Sequence, residues 1–133
     1  MEDIISWKKE YETGIHEIDS EHQIFVSIIQ KINTAYFNNY NEEYIIRLIK
    51  ELYKYADFHF ISEENIMIFN NYSDYENHKK EHNSLLYRLT EIIGAFESEF
   101  IDPSELINFL INWFQEHTTK TDMKLSGFLR RID

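Results

Sequence analysis

This sequence predicts an all-α protein: an antiparallel up-down-up-down four-helix bundle with an N-terminal extended arm. Three observations carry that expectation. Apolar residues recur at spacings of three and four in four separate segments, the mark of helices with one buried face. Only three glycines and one proline interrupt 133 residues, so short turns rather than linkers join the segments, and short turns make neighbouring helices antiparallel. Hydrophobic residues make up 43% of the chain and aromatic residues 16%, enough apolar surface for a core and too much for disorder. One domain, residues 1–133, is expected.

After the arm, MEDIISWKKEYETG, the first helix is expected to follow a cap at Asp19 or Ser20, with the stripe His22, Phe25, Ile29, Ile32 and Tyr36. The second follows Asn41 and reads Ile45, Leu48, Leu52, Tyr55, His59 and Glu63. The third opens with Ser73 and Glu76 in capping-box spacing, then runs His78, His82, Leu85, Leu89, Ile92 and Phe96. The fourth starts at Asp102, Pro103 and Glu105, with proline where a first helical turn tolerates it, and reads Leu106, Leu110, Trp113 and His117.

Every stripe runs straight into histidine. His22 begins helix one, His59 and Glu63 end helix two, His78 and His82 begin helix three, and His117 ends helix four; in this topology those places are one end of the bundle. Five buried imidazoles without partners would be costly, whereas metal coordination satisfies them together. Residues four apart share a helix face, so His59 with Glu63 and His78 with His82 point inward in pairs. Asp122 lies five residues after His117, off that face on a regular helix, so the helix is expected to end or bulge among the weak helix formers Thr118, Thr119 and Thr121. Five histidines and two carboxylates suit two metal ions rather than one. If Glu63 and Asp122 both bridge, with a single bridging oxygen between the metals, one position of two octahedra stays open for a small ligand. Imidazole and carboxylate donors admit iron, manganese, zinc or copper.

The other prominent residues take simpler readings. His16 precedes the first helix outside every stripe and is read as solvated. Glu64 is turned about 100° from Glu63, facing solvent or a ligand's outer side, and Met67 is packing. Phe60, Trp113 and Phe114 flank the histidines as core and as walls that exclude water. Lys124, Arg130 and Arg131 form a small basic surface.

Composition excludes several function classes. A net charge of −11 opposes nucleic acid and anionic membrane surfaces as partners. The absence of cysteine excludes disulfides, thiolate zinc sites and cysteine-held iron–sulfur clusters. No basic start leads into an apolar run, and no segment approaches the roughly 18 apolar residues of a membrane helix, so a cytoplasmic protein is expected.

The segments GIHEIDSEH, HFISEENIM, HKKEH and WFQEHTTKTD, together with Trp7, resemble the hemerythrins, most closely their single-domain bacterial members. The resemblance spans nearly the whole chain. It implies two non-haem iron ions, oxo- or hydroxo-bridged, held by His22, His59, Glu63, His78, His82, His117 and Asp122. It further implies that His22 and His59 bind the iron with the open position, that His78, His82 and His117 fill the other, and that dioxygen binds at the first. Thr118 departs from the resemblance, since the family often carries an apolar residue there; its hydroxyl can hydrogen-bond bound oxygen or admit water.

The function expected is reversible dioxygen binding for carriage, storage, delivery or sensing, with nitric oxide or other small anions as further ligands and a separate partner protein for any sensing role. The alternative is a di-iron enzyme, an oxidase, peroxidase or nitric oxide reductase, ranked lower because no general acid or base beyond the ligands is apparent. A histidine phosphotransfer module needs one exposed mid-helix histidine, and the helical histidines here lie on buried stripes.

Overall fold

The computed structural model describes residues 5–98 and 102–131; residues 1–4, 99–101 and 132–133, which the expected arm and domain include, lie outside the described residues. Among the described residues every regular element is helical, the α-helices being α1 (His16–Phe37), α2 (Glu42–Phe69), α3 (Tyr75–Ser98), α4 (Pro103–Glu116) and α5 (Met123–Arg131). A π-helical turn, His117–Asp122, joins α4 to α5 into one rod, so the bundle has four rods, as expected. Among the described residues, no helix is long and apolar enough to cross a membrane.

Contacts along the rods fix their directions. Lys31 of α1 pairs with Glu51 of α2 while Glu21 reaches His59, so the second helix runs back along the first. Lys50 pairs with Glu97, far from where Glu63 meets His78. Arg88 of α3 lies over the Phe109 ring of α4, and Phe25 of α1 stacks on Phe114 of α4 with ring centroids 5.6 Å apart. All four neighbouring pairs are antiparallel.

The expected stripes are the core. Phe25, Ile29, Ile32, Leu48, Leu52, Leu85, Leu89, Leu106 and Leu110 are buried, and Tyr36, Tyr55, Ile92 and Trp113 are half-buried at its margins. Each buried aliphatic side chain of this kind contributes roughly 1.5–3 kcal/mol through removal from water. A smaller cluster of Ile18, Met67, Tyr72, Leu125 and Leu129 closes the histidine end. Its last two residues come from α5, whose alternating apolar face keeps the chain helical beyond the threonines.

Two turns repeat one solution. Asn39 and Asn71 adopt left-handed backbone (φ 55 and 54) just past α1 and α2. Behind them the Tyr40 and Tyr72 amides donate to the Ala35 and Met67 carbonyls, which satisfies carbonyls the helices would leave unpaired. Helix starts are partly as expected. The side chains of Asn41 and Asp102 accept from the Tyr44 and Ser104 amides, capping α2 and α4. The first helix, however, begins at His16, four residues before Ser20, so His16 is its first residue and exposed. Asp19 does not cap it as a start residue; its carboxylate reaches back to the Thr13 amide and hydroxyl (both 2.8 Å) and to the Gly14 amide, clamping the chain before the helix. At the third helix the Ser73–Glu76 box does not form, and Asp74 instead holds Asn77 and Lys124 at 2.8 Å.

The arm crosses the histidine end after one short 3-10 turn, Lys9–Tyr11. Tyr11 is fully buried edge-on against Phe114, its hydroxyl accepting from Gln115, and Trp7 packs edge-on against Tyr11. The arm therefore backs the aromatic wall beside the histidines.

Candidate metal centre

The five stripe histidines and both carboxylates meet at one end of the bundle and are at most 4% exposed. Glu63, His78, His82, His117 and Asp122 each offer a donor atom within 4.8 Å of the others. His22, His59 and Glu63 form a second group by the same measure, so Glu63 belongs to both. Asp122 also spans them: its Oδ2 lies 3.1 Å from His22 Nε2, and its Oδ1 lies 3.0 Å from His78 Nε2 and 3.2 Å from His117 Nε2. Glu63 Oε1 faces His78 Nε2 at 2.6 Å and His82 Nε2 at 3.0 Å, while its Oε2 lies 3.5 Å from His59 Nε2.

The π turn explains how Asp122 joins this cluster. A regular helix would rotate a residue five positions on by about 140° from His117, whereas a π turn takes one extra residue per turn and returns Asp122 to the inward face. The bulge expected from the spacing is this turn.

Carboxylates and aromatic rings orient the imidazoles from outside. Glu21 Oε1 lies 2.7 Å from His59 Nδ1, Glu64 Oε2 2.9 Å from His82 Nδ1, and Glu81 Oε1 2.8 Å from His117 Nδ1. Such contacts fix the tautomer that leaves Nε2 free to ligate and raise its basicity. Each of the three comes from a neighbouring helix. Ser62 donates to Glu21 and Thr121 to Glu81, holding two of them in place. The Phe60 ring stacks on His82 at 4.0 Å and Trp113 on His117 at 4.4 Å, which sets the planes of those imidazoles. Of the three carboxylates, only Glu64 is marked by the sequence, through its place beside Glu63. Glu21 and Glu81 directly precede His22 and His82, and this adjacency was the available signal. Replacing Glu81 with glutamine is expected to weaken iron binding about ten- to a hundredfold, measured by competition with a chelator; an unchanged affinity would remove Glu81 from the site.

In the metal-free protein the cluster neutralises itself. Burial pushes the Glu63 carboxyl up, and so does the charge of Asp122. The hydrogen bond with His78, the His82 ring 3.0 Å away and the charge of His59 outweigh both and hold it down to about 2. Asp122 is likewise opposed by burial yet held well below the usual carboxylate range by His117, His22 and His78. Burial lowers the histidines, but the facing carboxylates raise His78 to about 9 and His117 to about 10, with His22 also raised. A histidine raised in the folded state stabilises fully below its unfolded value near 6.5, and that contribution disappears as pH rises through the folded value. The depressed Glu63 contributes above its ordinary 4.5 and loses this as pH falls through about 2. Metal-free protein is therefore expected to be most stable between about pH 4.5 and 6.5 and to weaken steadily toward pH 10 in chemical denaturation. Stability that instead rises across that alkaline span would show that the histidines are not charged there.

A cavity of about 10 Å³, room for one water-sized molecule, adjoins the cluster on one side. His22, Phe25, His59, Phe60, Trp113, Phe114, His117 and Thr118 line it. It borders His22 and His59 of one group and His117 of the other and is otherwise mostly aromatic.

The residues fit metal. Glu63 Oε2, both Asp122 oxygens and the Nε2 atoms of His82 and His117 are buried without a hydrogen-bond partner, and an ion in each of the two groups would satisfy all five. Four rods with imidazoles and carboxylates converging at one end define a non-haem metal-binding bundle. The chain matches the hemerythrin HHE cation binding domain over residues 13–129, and it belongs to the hemerythrin family. It is 32% identical over 125 residues to a bacteriohemerythrin of Clostridium acetobutylicum, covering 87% of this chain and 94% of that one. Identity to a myohemerythrin of Theromyzon tessulatum is 24%, over 92% of each chain. In fold it is similar to wild-type hemerythrin, with a TM-score of 0.85 at 24% identity over 93% of this chain and 96% of that one.

Proposed function

We propose that this protein binds dioxygen reversibly at a non-haem di-iron centre, as an oxygen-binding protein rather than an enzyme. His22 and His59 hold one iron, His78, His82 and His117 hold the other, and the Glu63 and Asp122 carboxylates are shared between them. The domain spans residues 1–133 and works in the cytoplasm. Dioxygen is its ligand, for carriage, storage, delivery or sensing, with nitric oxide and small anions able to enter the same position.

One observation carries this reading: the cavity beside the cluster borders both His22 and His59, the pair with fewer protein ligands, but only His117 of the other three histidines, and it is walled by Phe25, Phe60, Trp113 and Phe114. When bound, the iron pair supplies the two electrons that dioxygen takes up. The protein's own residues do the rest. Glu21, Glu64 and Glu81 keep three imidazoles aimed at the metals, and the aromatic wall keeps bulk water from the ligand.

A di-iron oxidase, peroxidase or nitric oxide reductase needs a proton donor at the ligand. Among the described residues, Thr118 supplies the only side chain lining the cavity that is neither aromatic nor a proposed ligand, and its hydroxyl is too weak an acid for repeated proton delivery. The test is uptake by reduced protein in an oxygen electrode. One dioxygen per iron pair, without further consumption when an electron donor is added, supports binding; continued consumption of dioxygen, peroxide or nitric oxide with the donor would establish the enzyme instead.

A further inference from the structure

Thr118 and Thr119 are adjacent in the π turn, and their hydroxyls are placed differently. Thr119 Oγ1 donates to the Gln115 carbonyl at 2.6 Å, the usual way a helical threonine satisfies itself. Thr118 is 1% exposed, and its Oγ1 has no hydrogen-bond partner. It also lines the cavity beside His22 and His59, among aromatic rings that offer it nothing. A buried hydroxyl left unpaired is costly to the fold, so its partner is to be sought in whatever occupies the cavity.

We propose that Thr118 is a specificity-determining residue: its hydroxyl donates a hydrogen bond to the small ligand held in the cavity and selects ligands that carry negative charge over neutral ones of the same size. The inference rests on the oxygen-binding reading and extends it. A hydroxyl donor gains about twice as much from a charged acceptor as from a neutral one, and the gain is larger where water is excluded. Dioxygen, able to take two electrons from a reduced iron pair, would be such an acceptor; nitric oxide, nearly the same size but able to take only one, would carry less charge and be a poorer one. Because Thr118 sits one residue after the proposed ligand His117, the π turn that delivers Asp122 to the metals also delivers this hydroxyl to the cavity.

The test compares the iron-loaded wild type with Thr118→Val, which keeps the shape and removes the hydroxyl, and with Thr118→Ser, which keeps the hydroxyl. Two diatomic probes are titrated spectroscopically: cyanide on the oxidised protein and nitric oxide on the reduced one. Thr118→Val is expected to bind cyanide about tenfold more weakly and nitric oxide within about twofold of wild type, with Thr118→Ser close to wild type for both. Equal cyanide affinity in Thr118→Val, or an equal loss for both probes, overturns the proposal. An independent readout comes from metal-free protein in urea. There the unpaired hydroxyl has no ligand to meet, so Thr118→Val should raise the unfolding midpoint; an unchanged or lower midpoint would mean that the hydroxyl is satisfied within the fold and would equally overturn the idea. Iron content and dioxygen uptake of the wild type separate the two readings: if both are intact while the cyanide difference is missing, only the role of Thr118 fails, and a wild type that takes up no iron overturns both.

Discussion

Replacing His117 with alanine is expected to empty the three-histidine side of the cluster of iron and to weaken the metal-free fold as well. His117 Nε2 faces Asp122 at 3.2 Å, its Nδ1 meets Glu81 at 2.8 Å, and Trp113 stacks on its ring. Without it, one proposed iron keeps only two imidazoles, and a closed coordination sphere cannot form around it. Because metal binds the folded chain and not the unfolded one, lost affinity is lost stability. The metal-free protein suffers separately. Asp122 loses the largest influence holding it ionised, and removing one partner of a buried charge pair costs about 3–5 kcal/mol. Metal analysis should find iron content well below wild type, and urea unfolding should show the metal-free variant shifted to a lower midpoint. Unchanged iron content would sink the assignment of His117 as a ligand.

Asp122→Ala should have an effect at least as large, and a different one. Its two oxygens face His22 on one side and His78 and His117 on the other, so one truncation reaches both ligand groups. Iron is expected to be lost from both, rather than from one as with His117→Ala. In metal-free protein, His22 loses its nearest carboxylate and His78 and His117 each lose one of the two that face them, so the raised values of His78 and His117 should fall. The alkaline loss of stability should therefore move down to a narrower span near neutral pH. A variant that keeps wild-type iron, or whose metal-free pH profile matches wild type, would remove Asp122 from the shared position.

The parts of this arrangement legible in the sequence are those governed by helical phase. A histidine that continues an apolar stripe must face the core, and four such stripes with short turns place all five at one end. The five-residue step from His117 to Asp122 conflicts with the regular period, so the sequence predicts that the helix ends or bulges there, and the π turn is the form the bulge takes. What could not be read depends on how neighbouring helices pack. Glu21 and Glu81 lie one residue from a stripe, where a single helix suggests solvent; only the distance and rotation of the adjacent helix turn them onto His59 and His117. Two of the four helix starts differ from expectation for a similar reason. Asp19 and Ser73 are good caps by composition, but Asp19 bonds backward to Thr13 and Gly14, and the arm's burial of Tyr11 and Thr13 lets α1 begin earlier. Nor did the threonines end the fourth rod. Leu125 and Leu129 have Ile18, Met67 and Tyr72 to pack against, and that burial outweighs the weak local preference.

The most direct measurement is the visible spectrum of iron-loaded protein through repeated cycles of anaerobic reduction, exposure to air and degassing. The account predicts an absorption band that appears in air, disappears on degassing and returns over several cycles without added reductant after the first. A band that never forms, or one that forms once and cannot be reversed by removing oxygen, would contradict reversible dioxygen binding at this site.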